Sequence, residues 1–250
     1  MGLEKKDYPL HDFYKKIYQR YDLVNRIFTF GQDVKWRKKA VAECLRNNPG
    51  KVLDICTGTG DLILEISASA EKTIQLTGYD FSAEMLEKAT EKSKKRGGSI
   101  DFIQGDVAAM PFQDNFFDTA GISFGIRNLV YKNSNAAQHL AEIHRVLRLD
   151  GRLVILESSK PENRIWRFFN GLYLRFILPY LGGVISGNLK AYRYLASSSE
   201  NYYSRSEMGE IMNKAGFRIA GSQSLFFGSV MLVIVEKQAI TGTNYSGSNR

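Results

Sequence analysis

Val52-Leu53-Asp54-Ile55-Cys56-Thr57-Gly58-Thr59-Gly60-Asp61-Leu62 is a short apolar run that ends in a glycine turn and opens into a helix-like stretch. Such a junction puts its loop at the carboxyl end of a strand, where open α/β sheets bind their ligands. Gly58 and Gly60 let the backbone turn sharply and approach a ligand with no Cβ in the way. The helix predicted over Asp61–Ala70 offers backbone N–H groups in its first turn, which suit a carboxylate. Asp61 is placed to pair with an ammonium group. A Gly-x-Gly turn by itself is weak evidence, since a tight connection that holds nothing can be built the same way.

Outward from this turn, strand-like and helix-like stretches alternate. Strands are predicted at Lys51–Ile55, Ile74–Tyr79, Ile100–Gln104, Phe116–Ile122 and Arg152–Glu157, each short and apolar. Helices are predicted at Asp61–Ala70, Ala83–Arg96 and Asn135–Leu147, with Ser82 as an N-cap and Gly97-Gly98 as a stop. Asp150-Gly151 turns the third helix into its strand. This alternation implies parallel pairing in a doubly wound sheet. A helix at Ser206–Ala215 then precedes strands Phe217–Phe227 and Val230–Glu236, separated only by Gly228-Ser229. So short a connection demands an antiparallel hairpin. The expected fold is therefore α/β, with one antiparallel strand near the edge of a mostly parallel, seven-stranded sheet.

Composition fits a soluble globular chain: 44% hydrophobic and 24% charged over 250 residues, enough for a sizeable core. No apolar run reaches membrane-spanning length, and no secretory leader is read at the N-terminus. Cys44 and Cys56 have neither disulfide-frame nor zinc spacing, so no metal is expected and a cytoplasmic setting follows. The net charge of +8 is unevenly spread. Residues 1–50 hold 11 basic against 6 acidic side chains, and residues 160–195 hold 6 against 1, whereas 51–159 hold 12 against 15. Basic excess confined to two segments suits an anionic partner, such as phosphate backbones or lipid headgroups, or is a solvated face.

Two acidic residues sharpen the ligand. Asp80 closes the second strand, where a carboxylate accepts both ribose hydroxyls of an adenosine. A dinucleotide would usually meet a third glycine inside the following helix, and Ile63 stands there instead. Asp106, after the third strand, is positioned for an adenine amino group, and Ser123, after the fourth, lines the same rim. The ordered set favours S-adenosylmethionine over a nicotinamide dinucleotide. Asp54 is read as an organiser of the turn, and Cys44 and Cys56 as core thiols. His139 and His144, five positions apart, face differently on their helix and make poor joint metal ligands. His11 is read as a surface residue.

Four stretches resemble the quinone-biosynthesis C-methyltransferases, the demethylmenaquinone and polyprenyl-benzoquinol methylases, over nearly the whole chain. They are Tyr21-Asp22-Leu23-Val24-Asn25 with Trp36, the glycine turn with Asp61-Leu62, Met110–Asp118 leading into Ser123-Phe124-Gly125-Ile126-Arg127-Asn128, and Arg145–Leu153 ending in Glu157-Ser158-Ser159. The chain departs from the pattern at Val24, Thr29 and Asp33, and at Leu149-Asp150, where the family has a Pro-Gly turn. The resemblance implies a Rossmann-like methyltransferase fold and cofactor contacts at Thr59, Asp80, Asp106, Val107 and Ser123. It also implies a reduced quinone ring with an isoprenoid tail as substrate. Methylating an aromatic carbon requires electron density from an ortho phenolate, and in-line attack requires alignment. Arg127 is the candidate to stabilise that phenolate, or else it fixes its loop with Asn128. Asp22, Tyr21, Tyr194 and His11, or a water on the arginine, are candidate bases. Arg127, Asn128 and Tyr194 are the expected substrate contacts.

The expected organisation is one methyltransferase domain over 1–237. It comprises an N-terminal helical cap (8–46), a cofactor core (51–159), a cap insertion (161–203), and a C-terminal helix and hairpin (204–237), followed by a disordered tail (238–250). Ile165-Trp166-Arg167-Phe168-Phe169 and Leu172–Leu178 resemble an amphipathic membrane-surface element with snorkelling arginines, which points to peripheral contact with an anionic bilayer at the inner membrane face. Core helices of a cap would read the same way. Nucleic acid is disfavoured: no Asn/Asp-Pro-Pro-Tyr/Phe motif and no cysteine nucleophile follow the fourth strand. Open alternatives are another small-molecule methyltransferase, ubiquinone rather than menaquinone synthesis, and a non-catalytic cofactor-binding subunit of a quinone-synthesis complex. Monomer and homodimer are both open.

Overall fold

The structure, a computed structural model, describes residues 31–186 and 189–238 together with Arg26 and Thr29. Tyr21, Asp22, His11 and all of the expected tail beyond Gln238 lie outside the described residues, as does the side chain of Tyr194.

Helix α1 (Gln32–Cys44) precedes the sheet. The core follows as β1 (Lys51–Ile55), α2 (Asp61–Ser69), β2 (Gln75–Asp80), α3 (Ala83–Arg96), β3 (Asp101–Gln104), β4 (Phe117–Ser123), α4 (Ile126–Val130), α5 (Ala136–Val146) and β5 (Leu147–Ser158). Helices α6 (Arg164–Leu172), α7 (Leu178–Ser186) and α8 (Leu189–Glu200) come next, a π-helical turn (Tyr173–Ile177) joining the first two. The chain closes with α9 (Arg205–Lys214), β6 (Phe217–Leu225) and β7 (Val230–Lys237).

The seven strands form one sheet in the order β3-β2-β1-β4-β5-β7-β6. β7 runs antiparallel to both β5 and β6, while the β1–β5 pairings are parallel. The expected single antiparallel strand is present and lies one place in from the edge. Alternation along the strands sends side chains to two cores, one on each face. Val52, Val154, Leu156, Leu232 and Ile234 pack with Trp36, Ala40 and Val41 of α1 and with Leu62, Ile63 and Ile66 of α2. Leu53, Leu153, Ile155, Met231 and Val233 pack with Leu140 and Ile143 of α5 and with Met208 and Met212 of α9.

Local signals act as expected at most ends. The Ser82 hydroxyl accepts from the Met85 N–H, Gly97 ends α3 in the left-handed conformation, and Ser204 with Glu207 forms a capping box on α9. Asp150-Gly151 behaves differently. β5 already begins at Leu147, which pairs with Phe117, and Arg152 pairs with Thr119. The residues between them bulge out, with Asp150 at φ 58°. A bulge keeps strand pairing on both sides of a turn that local sequence reads as a strand start.

Arg145 locks the loop before β4. It donates to the carbonyls of Met110 (2.9 Å) and Phe112 (2.7 Å) and to the carboxylates of Asp114 and Glu142. That side chain links the third and fourth resemblance stretches. Among the described residues no helix is long and apolar enough to cross a membrane. The α6–α7 segment carries an exposed aromatic face instead, described below with the site.

Candidate cofactor and substrate site

The carboxyl ends of β1, β2, β3 and β4 converge on one cavity of about 400 Å³, in the size range of small-molecule sites. Its walls include Thr57–Thr59, Asp61, Asp80-Phe81, Asp106-Val107, Ser123-Phe124 and Asn128. The glycine turn forms one side. Gly58 has φ +55°, and a Cβ built on it meets nothing within 4 Å, so its missing side chain leaves open space for a ligand. Gly60, also left-handed at φ 84°, is the N-cap of α2 and serves the turn; it does not line the cavity. Cys56 and Phe124 adopt positive φ as well, at the ends of β1 and β4. Such conformations are rare in residues with side chains and gather at ligand sites.

Asp54 holds this turn from below. Its Oδ2 accepts from Thr57 Oγ1 (2.6 Å) and from the Ile63 N–H (3.2 Å). Burial pushes its pKa up to about 7, against the opposing pull of those two hydrogen bonds. The organising role expected of Asp54 is what its contacts describe. Burial likewise pushes the Cys56 thiol up, which disfavours a thiolate nucleophile.

Asp80 is buried at the end of β2. Its two oxygens accept from the Gly58 and Ser82 N–H groups, each at 2.9 Å. Burial raises its pKa while those N–H groups lower it. One carboxylate thus fixes the glycine turn and the start of α3 and keeps further lone pairs for hydroxyl donors. Asp106 is exposed and caps a 3-10 turn (Val107–Ala109) through the Ala108 N–H (2.9 Å). Val107 and Ser123 both line the wall.

Asp61 sits in a charge cluster. Its Oδ2 accepts from Arg37 (2.8 Å) and its Oδ1 from Lys92 (2.8 Å); Lys92 also donates to Thr59 Oγ1 (3.0 Å). Arg37 is buried and held on its other side by Asp33 (2.7 Å). The ammonium partner expected for Asp61 therefore meets a carboxylate already bracketed by two cations. Those cations suit the carboxylate of an amino-acid end. Sequence reading passed over Arg37 and Lys92; the i, i+4 pair Asp33–Arg37 beside Trp36 was the available signal.

At the substrate end the picture is split. Asn128 lines the cavity, but Arg127 is not on its wall. Arg127 is buried; its backbone N–H meets Glu157 (3.3 Å) and its guanidinium donates to Ser199 of α8. A helix from the inserted segment thus takes part in holding the arginine. Tyr194 lies on that same helix.

Beyond the cavity, α6 buries none of its side chains. Ile165, Phe168, Phe169, Phe176 and Phe227 are each more than half exposed, and Trp166 stacks on Phe227 with ring centroids 4.1 Å apart. The expected snorkelling arginines are committed elsewhere: Arg167 donates to the Pro161 carbonyl (2.8 Å) and Arg175 pairs with Glu200 (2.7 Å).

The donor set fits a ligand with a diol, an aminopurine and an amino-acid end. A family model described as the ubiE/COQ5 methyltransferase family matches residues 2–237. The chain belongs to that family. It is accordingly an S-adenosylmethionine-dependent C-methyltransferase. Family relatives include the demethylmenaquinone methyltransferase of Thermotoga maritima, 41% identical over 91% of this chain and 95% of that protein. The demethylmenaquinone methyltransferase of Thermus thermophilus is 39% identical over 82% and 91%. The ubiquinone/menaquinone biosynthesis C-methyltransferase UbiE of Geotalea uraniireducens is 38% identical over 94% and 99%. Among solved structures, an Aquifex aeolicus SAM-dependent methyltransferase superposes with a TM-score of 0.58 at 22% identity, covering 80% of this chain and 88% of that one. The [4+2]-cyclase SpnF superposes at 0.61 with 17% identity, covering 82% and 80%. These likenesses show the expected Rossmann-like fold. That the fold also carries a cyclase shows why activity must be argued from the site.

Proposed function

We propose that this methyltransferase converts demethylmenaquinol to menaquinol at a membrane surface. The observation that carries the reading is the single cavity on which the adenosine-type carboxylates Asp80 and Asp106 converge with Asn128, the residue after Arg127. In this reading Gly58, Thr59, Asp61, Asp80, Asp106, Val107 and Ser123 hold the cofactor, and Arg37 and Lys92 neutralise its carboxylate. The bound cofactor supplies a methyl group on a positively charged sulfur.

The chain's own residues then perform three tasks. Asp80 and the glycine turn fix the adenosyl end, so the methyl is held in one direction. Asn128 orients the quinol from the cavity wall. Arg127, on the same short helix but behind the wall, favours the ionised phenol through its charge and not through direct contact. Ser199 of α8 holds the Arg127 guanidinium, which ties the inserted helices to the position of the arginine; Tyr194, on the same helix, is assigned to the substrate. Proton removal is assigned to Asp22, Tyr21 or a water held by Arg127.

The exposed aromatic face of α6 and Phe227 supports peripheral bilayer contact. Aromatic rings at a membrane interface need no free cation beside them, so the commitment of Arg167 and Arg175 within the protein shifts the weight of this contact toward apolar insertion. The isoprenoid tail of the substrate would leave the bilayer on this side.

Turnover of a short-tailed demethylmenaquinol, run beside a matched benzoquinol, tests the reading. Methylation of the naphthoquinol ring at higher kcat/KM is expected. Preference for the benzoquinol would move the protein to ubiquinone synthesis, and cofactor binding without turnover of either would make it a non-catalytic subunit. Flotation with anionic vesicles at low salt tests the membrane contact, and absence of binding there would end it.

A further inference from the structure

His139 of α5, set aside in the sequence as a poor metal ligand, stands on the cavity wall beside Asp106, Val107 and Leu129. Its ring is almost wholly buried, and its Nδ1 lies 3.0 Å from the Leu129 carbonyl oxygen. A carbonyl oxygen can only accept, so Nδ1 is the donor there, and the tautomer that makes this bond presents Nε2 as an acceptor. Nε2 is 3.7 Å from Asp106 Oδ1. That oxygen already accepts from the Ala108 N–H, while Oδ2 makes no hydrogen bond among the described residues.

Two acceptors from different elements, α5 and the loop after β3, therefore face one corner of the cavity, and no donor stands between them among the described residues. A hydroxyl brings one hydrogen and could serve only one of them. A primary amino group on a flat ring brings two, diverging in the plane of the ring. The flanking side chains, Val107 and Leu129, are apolar and suit the faces of such a ring better than a hydrated ammonium.

We infer that His139 is a second acceptor for the exocyclic amino group of the adenine, sharing it with Asp106, and that it sharpens selection of adenosyl over inosyl cofactors. The inference rests on the reading of this cavity as the cofactor site. With an oxo group in place of the amine, Asp106 and His139 would both face an acceptor, and sites built to receive N–H groups reject such analogues strongly.

The test compares dissociation constants of S-adenosylhomocysteine and S-inosylhomocysteine by calorimetry on the full chain. Their ratio is read for wild type and for His139→Asn, His139→Gln and Asp106→Asn. Asparagine keeps a donor where Nδ1 meets Leu129 but has nothing at the Nε2 position; glutamine places an amide oxygen there and gives up the Leu129 bond. Wild type is expected to prefer the adenosyl ligand. His139→Asn should lower the ratio about threefold to tenfold, the worth of one hydrogen bond, and His139→Gln should retain most of it. A role confined to anchoring Leu129 predicts the reverse order and would overturn the inference, as would an unchanged ratio in His139→Asn. Because both ligands meet the same sample, a partly unfolded variant does not disturb the ratio. If wild type binds neither ligand, or Asp106→Asn leaves the preference intact, the cofactor reading of the cavity fails, and this inference with it.

Discussion

Asp54 lies under the glycine turn with its carboxyl buried and its pKa pushed up from 3.8 to about 7. In the unfolded chain it ionises at the ordinary value, so the unfolded state loses its proton first as pH rises. A carboxyl raised in the folded state therefore leaves stability intact below pH 3.8 and removes it progressively up to about pH 7, beyond which the loss is constant. The interval between the two values corresponds to about 4 kcal/mol, at about 1.4 kcal/mol per pH unit. Asp54→Asn removes the titration and leaves an oxygen that can accept from Thr57 or Ile63. Urea unfolding of both proteins from pH 4 to pH 8 reads the effect as a difference, in which the other titrating groups largely cancel. The asparagine protein is expected to start at a fixed disadvantage at pH 4 and to gain about 4 kcal/mol on wild type by pH 8. A difference that stays flat over that interval, within about 1 kcal/mol, would show that Asp54 titrates near its ordinary value and that burial does not dominate its environment.

Three further outcomes follow from contacts described above. Asp80→Ala removes a carboxylate that supports the Gly58 and Ser82 N–H groups as well as its expected ribose contact. Cofactor affinity by calorimetry should fall about a hundredfold or more, in keeping with loss of two charge-assisted hydrogen bonds. Arg145→Ala frees two carbonyls and two carboxylates around the 110–114 loop; chemical denaturation should show a loss of about 2–4 kcal/mol. Trp166→Ser combined with Phe227→Ser removes the exposed stacked pair; vesicle flotation should drop several-fold while turnover of a short-tailed, soluble quinol stays within about twofold, since isolated surface changes rarely disturb folding.

Much of the sheet was legible because its signals are local. The β1 bounds and the α3 bounds agree with the sequence reading residue for residue, since an apolar run between turn residues and a Ser82 cap ending at Gly97 act within a few residues. The hairpin of β6 and β7 was legible for a related reason: a connection as short as Gly228-Ser229 admits only antiparallel strands. β5 was misjudged by five residues because a bulge is decided by the partner strand, here Phe117 and Thr119, and not by the Asp150-Gly151 signal itself. The order of acidic residues along successive strand ends marked the cavity, since parallel strands deliver their carboxyl ends to one side.

What the chain could not declare by itself was which side chains meet. Arg37 of α1 and Lys92 of α3 converge on Asp61; Arg127 reaches Ser199 seventy-two positions away; Trp166 lies flat against Phe227; and His139 comes to stand beside Asp106. Periodicity and turn chemistry are properties of neighbouring residues, so the sequence alone determined the strands, the glycine turn and the kind of ligand they face. The pairing of distant charges and rings depends on how whole helices pack against the sheet, and only the tertiary structure decided that.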